Sequence, residues 1–257
     1  MTDGFDNGEP ERTIEAVYRT VATAPNGTLP LKTGRTLTER LGYPAADLAR
    51  IPSEAIEAFA GVGYHHDLAA ISPGDRVLDL GSGSGTDAFL AALRAGPAGR
   101  VTGVDVTSEQ VTNARRWRER GGFETVAFER GAVEALPYAD DAFDVVLSNG
   151  TIPLSTRTER ALREAHRVVR RDGRLACTEV VAGVRLPERI RADAELCAAG
   201  IAGAMHEPSY LDAIEAAGFE VIVLRTNEQN EFHTDRAREA GRTYGLRSIS
   251  LSARKRD

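Results

Sequence analysis

Cysteine is scarce: Cys177 and Cys197 are the only two in 257 residues. Two thiols cannot build the framework that staples small secreted domains, so a reducing compartment is expected. Lysine is as rare, with Lys32 and Lys255 alone, so arginine supplies the rest of the 32 basic residues. Against them stand 38 acids, and the net charge is −6. A duplex is held chiefly by neutralising its phosphates, so an acidic chain is poorly suited to general nucleic-acid binding. The arginines are expected to pair with surface carboxylates instead. No run reaches the ~18 apolar residues of a spanning helix, and the acidic stretch after Met1 lacks the apolar centre of a secretory signal. No membrane partner and a cytoplasmic location are therefore expected. Internal repeats and low-complexity tracts are also missing. What is present, 42% hydrophobic and 27% charged, is globular composition, and the length suffices for one large domain or a domain with an appendage.

The pattern changes near residue 70. Residues 1–10 are polar and broken by Gly and Pro, which predicts a frayed terminus. Apolar positions Ile14, Val17, Tyr18 and Val21 predict a helix from Glu11 to about Ala24. The turn-rich stretch APNGTLPLKTG follows, then short helices at Thr36–Leu41 and Ser53–Phe59. No sheet signal precedes residue 75, so residues 1–70 read as a helical cap or lid. After Pro73-Gly74, strand-like runs at Arg76–Leu80, Arg100–Val106, Thr125–Glu129, Phe143–Ser148, Arg174–Val181, Phe219–Leu224 and Arg247–Ala253 alternate with helical patterns. Residues 71–257 are thus expected to form an α/β domain, a doubly wound, mostly parallel seven-stranded sheet. The last run, RSISLSARKRD, alternates strictly, which predicts a half-buried strand near an edge and antiparallel to its neighbours. A single helix is expected over Glu188–Ile201.

The strongest chemical signal ends the first strand. Val77-Leu78-Asp79-Leu80 runs into Gly81-Ser82-Gly83-Ser84-Gly85, and a helix starts at Thr86. Alternate glycines let a ligand approach the backbone, and a helix N-terminus offers free N–H groups. Asp105, with Val106 beside it, ends the second strand, where an acid suits the two hydroxyls of a ribose. The dinucleotide fingerprint would need glycine at Thr86, and a P-loop would need a nearby lysine; neither is there.

An acid two residues ahead of G-x-G-x-G resembles motif I of the class I S-adenosylmethionine (SAM) methyltransferases, which have a Rossmann-like fold. The resemblance implies that Asp79, Gly81, Ser82, Gly83 and Gly85 cradle the methionine end of SAM, and that Asp105 and Val106 meet the ribose. Gly131–Pro137 is similar to the loop flanking the adenine. An acid usual in that family at position 132 is Ala132 here, so adenine recognition falls to Val133 or Glu134. Ser148 at the end of the fourth strand is expected at the cofactor, with Asn149 and Thr151 on the substrate side.

Several segments further resemble the arsenite methyltransferase branch: ERLGYPAADLARIP (39–52), RVLDLGSGSGTDAFLAA (76–92), VDVTSEQVTNAR (104–115), the 147–155 stretch LSN-x-x-I-x-LS, and RADAELCAAGIAGAM (191–205). In that branch Tyr18 would lie over the methionine part of SAM. Yet trivalent arsenic is held by converging thiolates, and the positions the branch fills with cysteine are Val62, Gly150 and Gly200 here. Cys177 and Cys197 are expected to be small buried hydrophobes. The resemblance therefore implies a SAM-dependent methyltransferase, releasing S-adenosylhomocysteine, with a small-molecule acceptor attacked through O, N, C or S. Open beside it are a metalloid enzyme with other ligands, a SAM enzyme of non-methylating chemistry, and a non-catalytic SAM-binding protein. Tyr64, His65 and His66 occupy the segment that carries a branch cysteine; they are candidates for orienting and deprotonating the acceptor, or are packing residues. Adjacent histidines on a regular element diverge, so no metal site is expected. Oligomeric state is not legible.

Overall fold

The computed structural model describes residues 9–24 and 31–256. The expected frayed terminus, up to residue 8, and most of the turn-rich stretch, residues 25–30, lie outside the described residues.

Helix α1 (Glu9–Thr23) is followed by four short helices, α2 (Arg35–Arg40), α3 (Ala45–Leu48), α4 (Ser53–Glu57) and α5 (His66–Ala69). Strand–helix alternation then begins: β1 (Arg76–Leu80), α6 (Thr86–Ala95), β2 (Arg100–Asp105), α7 (Ser108–Gly121), β3 (Val126–Arg130), β4 (Phe143–Asn149) and α8 (Thr158–Val168). The remainder is β5 (Val169–Ala182), α9 (Glu188–Arg191), α10 (Ala194–Ala198), β6 (Met205–His206), α11 (Glu207–Ala216), β7 (Phe219–Thr226), α12 (Asp235–Tyr244) and β8 (Arg247–Lys255). The strand order is β3-β2-β1-β4-β5-β8-β7, with the short β6 paired to β5. The pairings from β3 to β5 are parallel, while β8 is antiparallel to both β5 and β7. The expected doubly wound, seven-stranded, mostly parallel sheet is therefore the observed one.

Period-2 alternation explains why both faces are covered. Val77, Val145 and Leu147 face one layer, packed with α6 and α7; Leu78, Leu80 and Val146 face the other, packed with α8 and α11. The short helices before β1 join the first layer, where Tyr43, Leu48, Ile56 and Phe59 share a cluster with Phe89 and Phe128. A third cluster gathers α10 and α12 around Val180 and Ala182.

Three expectations are corrected. The last strand lies near an edge, as expected, between β5 and the edge strand β7, but it is not half-buried. Its serine face is buried rather than solvated, because Ser248 Oγ donates to Val62 O (2.7 Å) and Ser250 Oγ to Tyr64 O (3.3 Å). The single helix over 188–201 is two, because Asp193 breaks the run and caps α10, accepting from Leu196 N at 3.0 Å. Helix α12 was not expected; Thr234 caps it and Gly245 ends it in the left-handed region.

The strand order reverses at β1, whose neighbours are β2 on one side and β4 on the other. In an open α/β sheet this is where a crevice forms at the carboxyl ends of the strands. The chain keeps its glycine loop there.

Candidate functional site

A cavity of about 230 Å³ opens above the ends of β1, β2 and β4. The loop between β1 and α6 forms its floor. Gly81 has φ +66, and a β-carbon there would stand 2.0 Å from Thr151 Oγ1, so only glycine allows the close passage of the two loops. Ser84 Oγ and Thr86 Oγ1 each donate to Ala55 O at 2.9 Å, which ties the loop to α4.

Acids line the cavity. Asp79 is 2% exposed, its Oδ2 has no partner, and burial first, then Asp87 and Asp105, push its carboxyl well above the usual carboxylate range. Asp105 accepts from Gly83 N (2.9 Å, Oδ2) and from Thr107 N (2.8 Å, Oδ1); burial outweighs these donors and raises it too. Ser82 Oγ is a further buried polar atom without a partner. Strained acids beside an orphaned hydroxyl suit a polar ligand with cationic groups, which would relieve the charge. The ammonium and sulfonium of SAM are such groups, and its neutral ribose hydroxyls can donate hydrogen bonds to a carboxylate. Val106, Ala132, Val133 and Glu134 line the side wall, and Ser155 Oγ donates to Glu134 Oε1. Tyr18, Asn149 and Thr151 line the cavity as well.

A second cavity of about 60 Å³ shares walls with the first at Tyr18, Gly61, Gly150 and Leu154. Val62, Gly150 and Gly200, distant in sequence, all line it. So does Glu179, which the sequence reading missed. Its side chain is 1% exposed; Oε1 accepts from Ser148 Oγ (2.9 Å) and Ile152 N (3.3 Å), while Oε2 has no partner. Burial pushes the carboxyl up to about 8 in spite of those donors. A charge inside the otherwise uncharged run LACTEVVA was the available signal. Tyr18, partly buried, has its phenol raised by desolvation and then by Asp105 and Glu179.

Five sequence-expected site residues are not at either cavity. Ser148 is fully buried and serves Glu179 instead. Gly85 is needed for packing: at φ +90, a β-carbon would sit 2.5 Å from Phe128 Cζ. Tyr64 Oη accepts from Arg94 (3.0 Å), and His66 Nε2 meets Asp87 Oδ1 at 3.0 Å. His65 is fully buried, and burial lowers its imidazole to about 4. None of Tyr64, His65 and His66 has a cavity-bound acceptor to reach. The two histidines also do not diverge; their rings stack at 5.0 Å and 21°. Asp87, equally unforeseen, lines the first cavity and accepts from Tyr43 Oη (2.7 Å) and Asn149 Nδ2 (3.0 Å). Asn149 Oδ1 in turn accepts from Val62 N at 2.9 Å, so this amide positions the wall between the cavities.

Both cysteines are packing residues. Cys177 Sγ lies 3.7 Å from Tyr210 Oη in the core, its thiol raised by burial, and Cys197 Sγ bonds Arg191 O at 3.4 Å. Neither lines either of these two cavities. Among the described residues no helix is long and apolar enough to cross a membrane.

A family model described as a methyltransferase domain matches residues 71–235. The arsenite methyltransferase of Halobacterium salinarum is 37% identical over 221 residues, 85% of this chain and 56% of that protein. That of Aquipseudomonas alcaligenes is 38% identical over 179 residues, 67% and 51% of the two chains. This chain thus spans about half the length of these relatives. Among solved structures, an arsenic(III) S-adenosylmethionine methyltransferase from Chlamydomonas reinhardtii superposes with a TM-score of 0.69 at 32% identity, covering 82% of this chain and 72% of that one. The chain belongs to the class I S-adenosylmethionine-dependent methyltransferases and is similar to their arsenite methyltransferase branch.

Proposed function

We propose that the protein transfers the methyl group of SAM to a small molecule seated in the second cavity, through an oxygen or nitrogen that loses its proton to Glu179. One observation carries the reading: Val62, Gly150 and Gly200 meet in a single cavity that adjoins the cofactor cavity and contains the buried, half-partnered carboxyl of Glu179. The relatives are named for arsenite, a soft centre suited to thiolates; here neither cysteine of the chain lines the cavity. A hard O–H or N–H acceptor fits a carboxyl better.

When bound, SAM supplies an electrophilic methyl group already activated by its sulfonium charge. Asp79 and Asp105 would hold its polar ends, with Val106, Ala132, Val133 and Glu134 along the base. Tyr18, which lines both cavities, would lie beside the methyl group where they meet. The acceptor's heteroatom gains the methyl and gives up its proton to Glu179 Oε2, which the unpartnered lone pairs there can receive; Ser148 Oγ and Ile152 N hold the other oxygen in place. Positioning supplies most of the acceleration, and a base adds roughly 10²–10⁴-fold.

The test is methyl-labelled SAM offered with a panel of small hydroxyl and amine compounds. The expected result is label in an organic product, with kcat falling roughly 10²–10⁴-fold in Glu179→Gln and the SAM Kd nearly unchanged. Equal turnover by Glu179→Gln would remove the carboxyl from the reaction. SAM binding without transfer to any acceptor would favour a binding protein.

A further inference from the structure

One cluster of metal-ligating side chains stands apart from the transfer chemistry: His65, His66 and Asp87, all buried. One ligand atom from each lies within 4.8 Å of the other two. His66 Nε2 and Asp87 Oδ1 are 3.0 Å apart, close to the separation of about 3.3 Å between neighbouring ligands on a tetrahedral ion with bonds of about 2.0–2.1 Å. The stacked rings bring His65 alongside. Both ring nitrogens of His65 and Nδ1 of His66 lack any hydrogen-bond partner. Burying imidazole nitrogens with nothing to bond is costly, and an ion would take up one lone pair of each ring. The carboxylate is already braced from outside, by Tyr43 Oη on Oδ1 and Asn149 Nδ2 on Oδ2. Such outer donors orient metal-ligating carboxylates.

We propose that His65, His66 and Asp87 form a buried site for a divalent first-row transition ion, with zinc as the reference ion. Two imidazoles and one carboxylate suit zinc, cobalt or nickel and not magnesium or calcium, which prefer oxygen shells. The site has a structural place in the fold. His65 and His66 begin α5, on the cap side of the chain, and Asp87 is in the first turn of α6, directly after the glycine loop. An ion here clasps the cap to the cofactor loop. The segment leading into it is held in the same sense, since Arg225 bonds both Asp67 and Tyr64 O. The inference is independent of which acceptor is methylated.

The test uses the full chain, stripped with a chelator and then dialysed against zinc or magnesium. Stoichiometric zinc is expected by mass spectrometry, with a Tm rise of roughly 5–10 °C at zinc about a hundredfold above its Kd and none with magnesium. His65→Leu should abolish both responses and raise the Tm of the metal-free protein, because the unpartnered ring is gone. His206→Ala should respond as the wild type does. Cobalt should give the intense visible absorption of a tetrahedral site in the wild type, a readout that does not depend on the variant folding. No retained zinc, no cobalt band, or an equal zinc response in His65→Leu would each overturn the site.

Discussion

A β-carbon built on Gly150 would lie 3.7 Å from both γ-methyl groups of Val62. Two positions far apart in the chain therefore present their side chains to one another at thiol-pairing distance, with Gly200 on the same cavity. The combined variant Val62→Cys, Gly150→Cys, Gly200→Cys should gain arsenite binding, read as an arsenite-dependent rise in Tm that the wild type lacks. Gly150 and Gly200 have φ of +71 and +72, so the variant should lose roughly 2–4 kcal/mol of stability before arsenite is added. A folded triple variant indifferent to arsenite would show that the three positions do not converge.

Two glycines of one loop should fail in different ways. Gly85→Ala drives a methyl into Phe128 at a left-handed φ, and should cost roughly 2–4 kcal/mol in denaturant melts. Gly83 has open space around it and lines the cofactor cavity. Gly83→Ala should cost about 1 kcal/mol of stability but weaken SAM binding at least roughly tenfold by calorimetry. Equal stability losses would place both glycines in the same role.

Asp79→Asn removes a carboxyl held well above its usual range by burial and two neighbouring acids. The apo protein should become more stable, while SAM affinity falls roughly 10- to 100-fold for loss of a charged hydrogen bond. Tighter SAM binding in the variant would put the ligand's cationic end elsewhere.

Glu179 links pH to both stability and rate. Its carboxyl is raised from 4.5 to about 8, so the folded state keeps a proton that the unfolded chain releases. The stabilisation this proton gives is complete below pH 4.5 and is lost as pH rises through about 8, with a slope of up to about 1.4 kcal/mol per pH unit. Denaturant melts of the apo protein should show that slope flattened in Glu179→Gln. A base must be deprotonated, so kcat should climb through the same window as stability falls. Parallel stability profiles for the two proteins would mean that Glu179 ionises normally.

Much of this was legible because it is local. The turn from Leu80 to Thr86 needs glycines whatever surrounds it, and the acids Asp79 and Asp105 sit at strand ends that periodicity locates. The mostly parallel character of the sheet followed from the strand–helix alternation, whereas its strand order was not read from the sequence. What could not be read depends on contacts between distant segments. Ser248 and Ser250 looked solvent-facing until Val62 and Tyr64 carbonyls covered them. Helix α12 buries only Ala237 and Ala240, too weak a stripe to announce itself. Gly85 lies in the glycine loop and Ser148 at the end of β4, yet Gly85 packs against Phe128 and Ser148 donates to Glu179, so position in sequence did not settle contact. His65 and His66 sit at the first turn of a four-residue helix, where the rule that neighbours diverge on a regular element does not hold.

The central claim is that the cavity beside the cofactor selects an acceptor without thiols. The most direct measurement is methyl-labelled SAM incubated with the wild-type protein, arsenite and a reducing thiol, followed by speciation of arsenic. The account predicts SAM binding and no methylated arsenic. Methylated arsenic at a rate that persists when Cys177 and Cys197 are both replaced by Ser would contradict it.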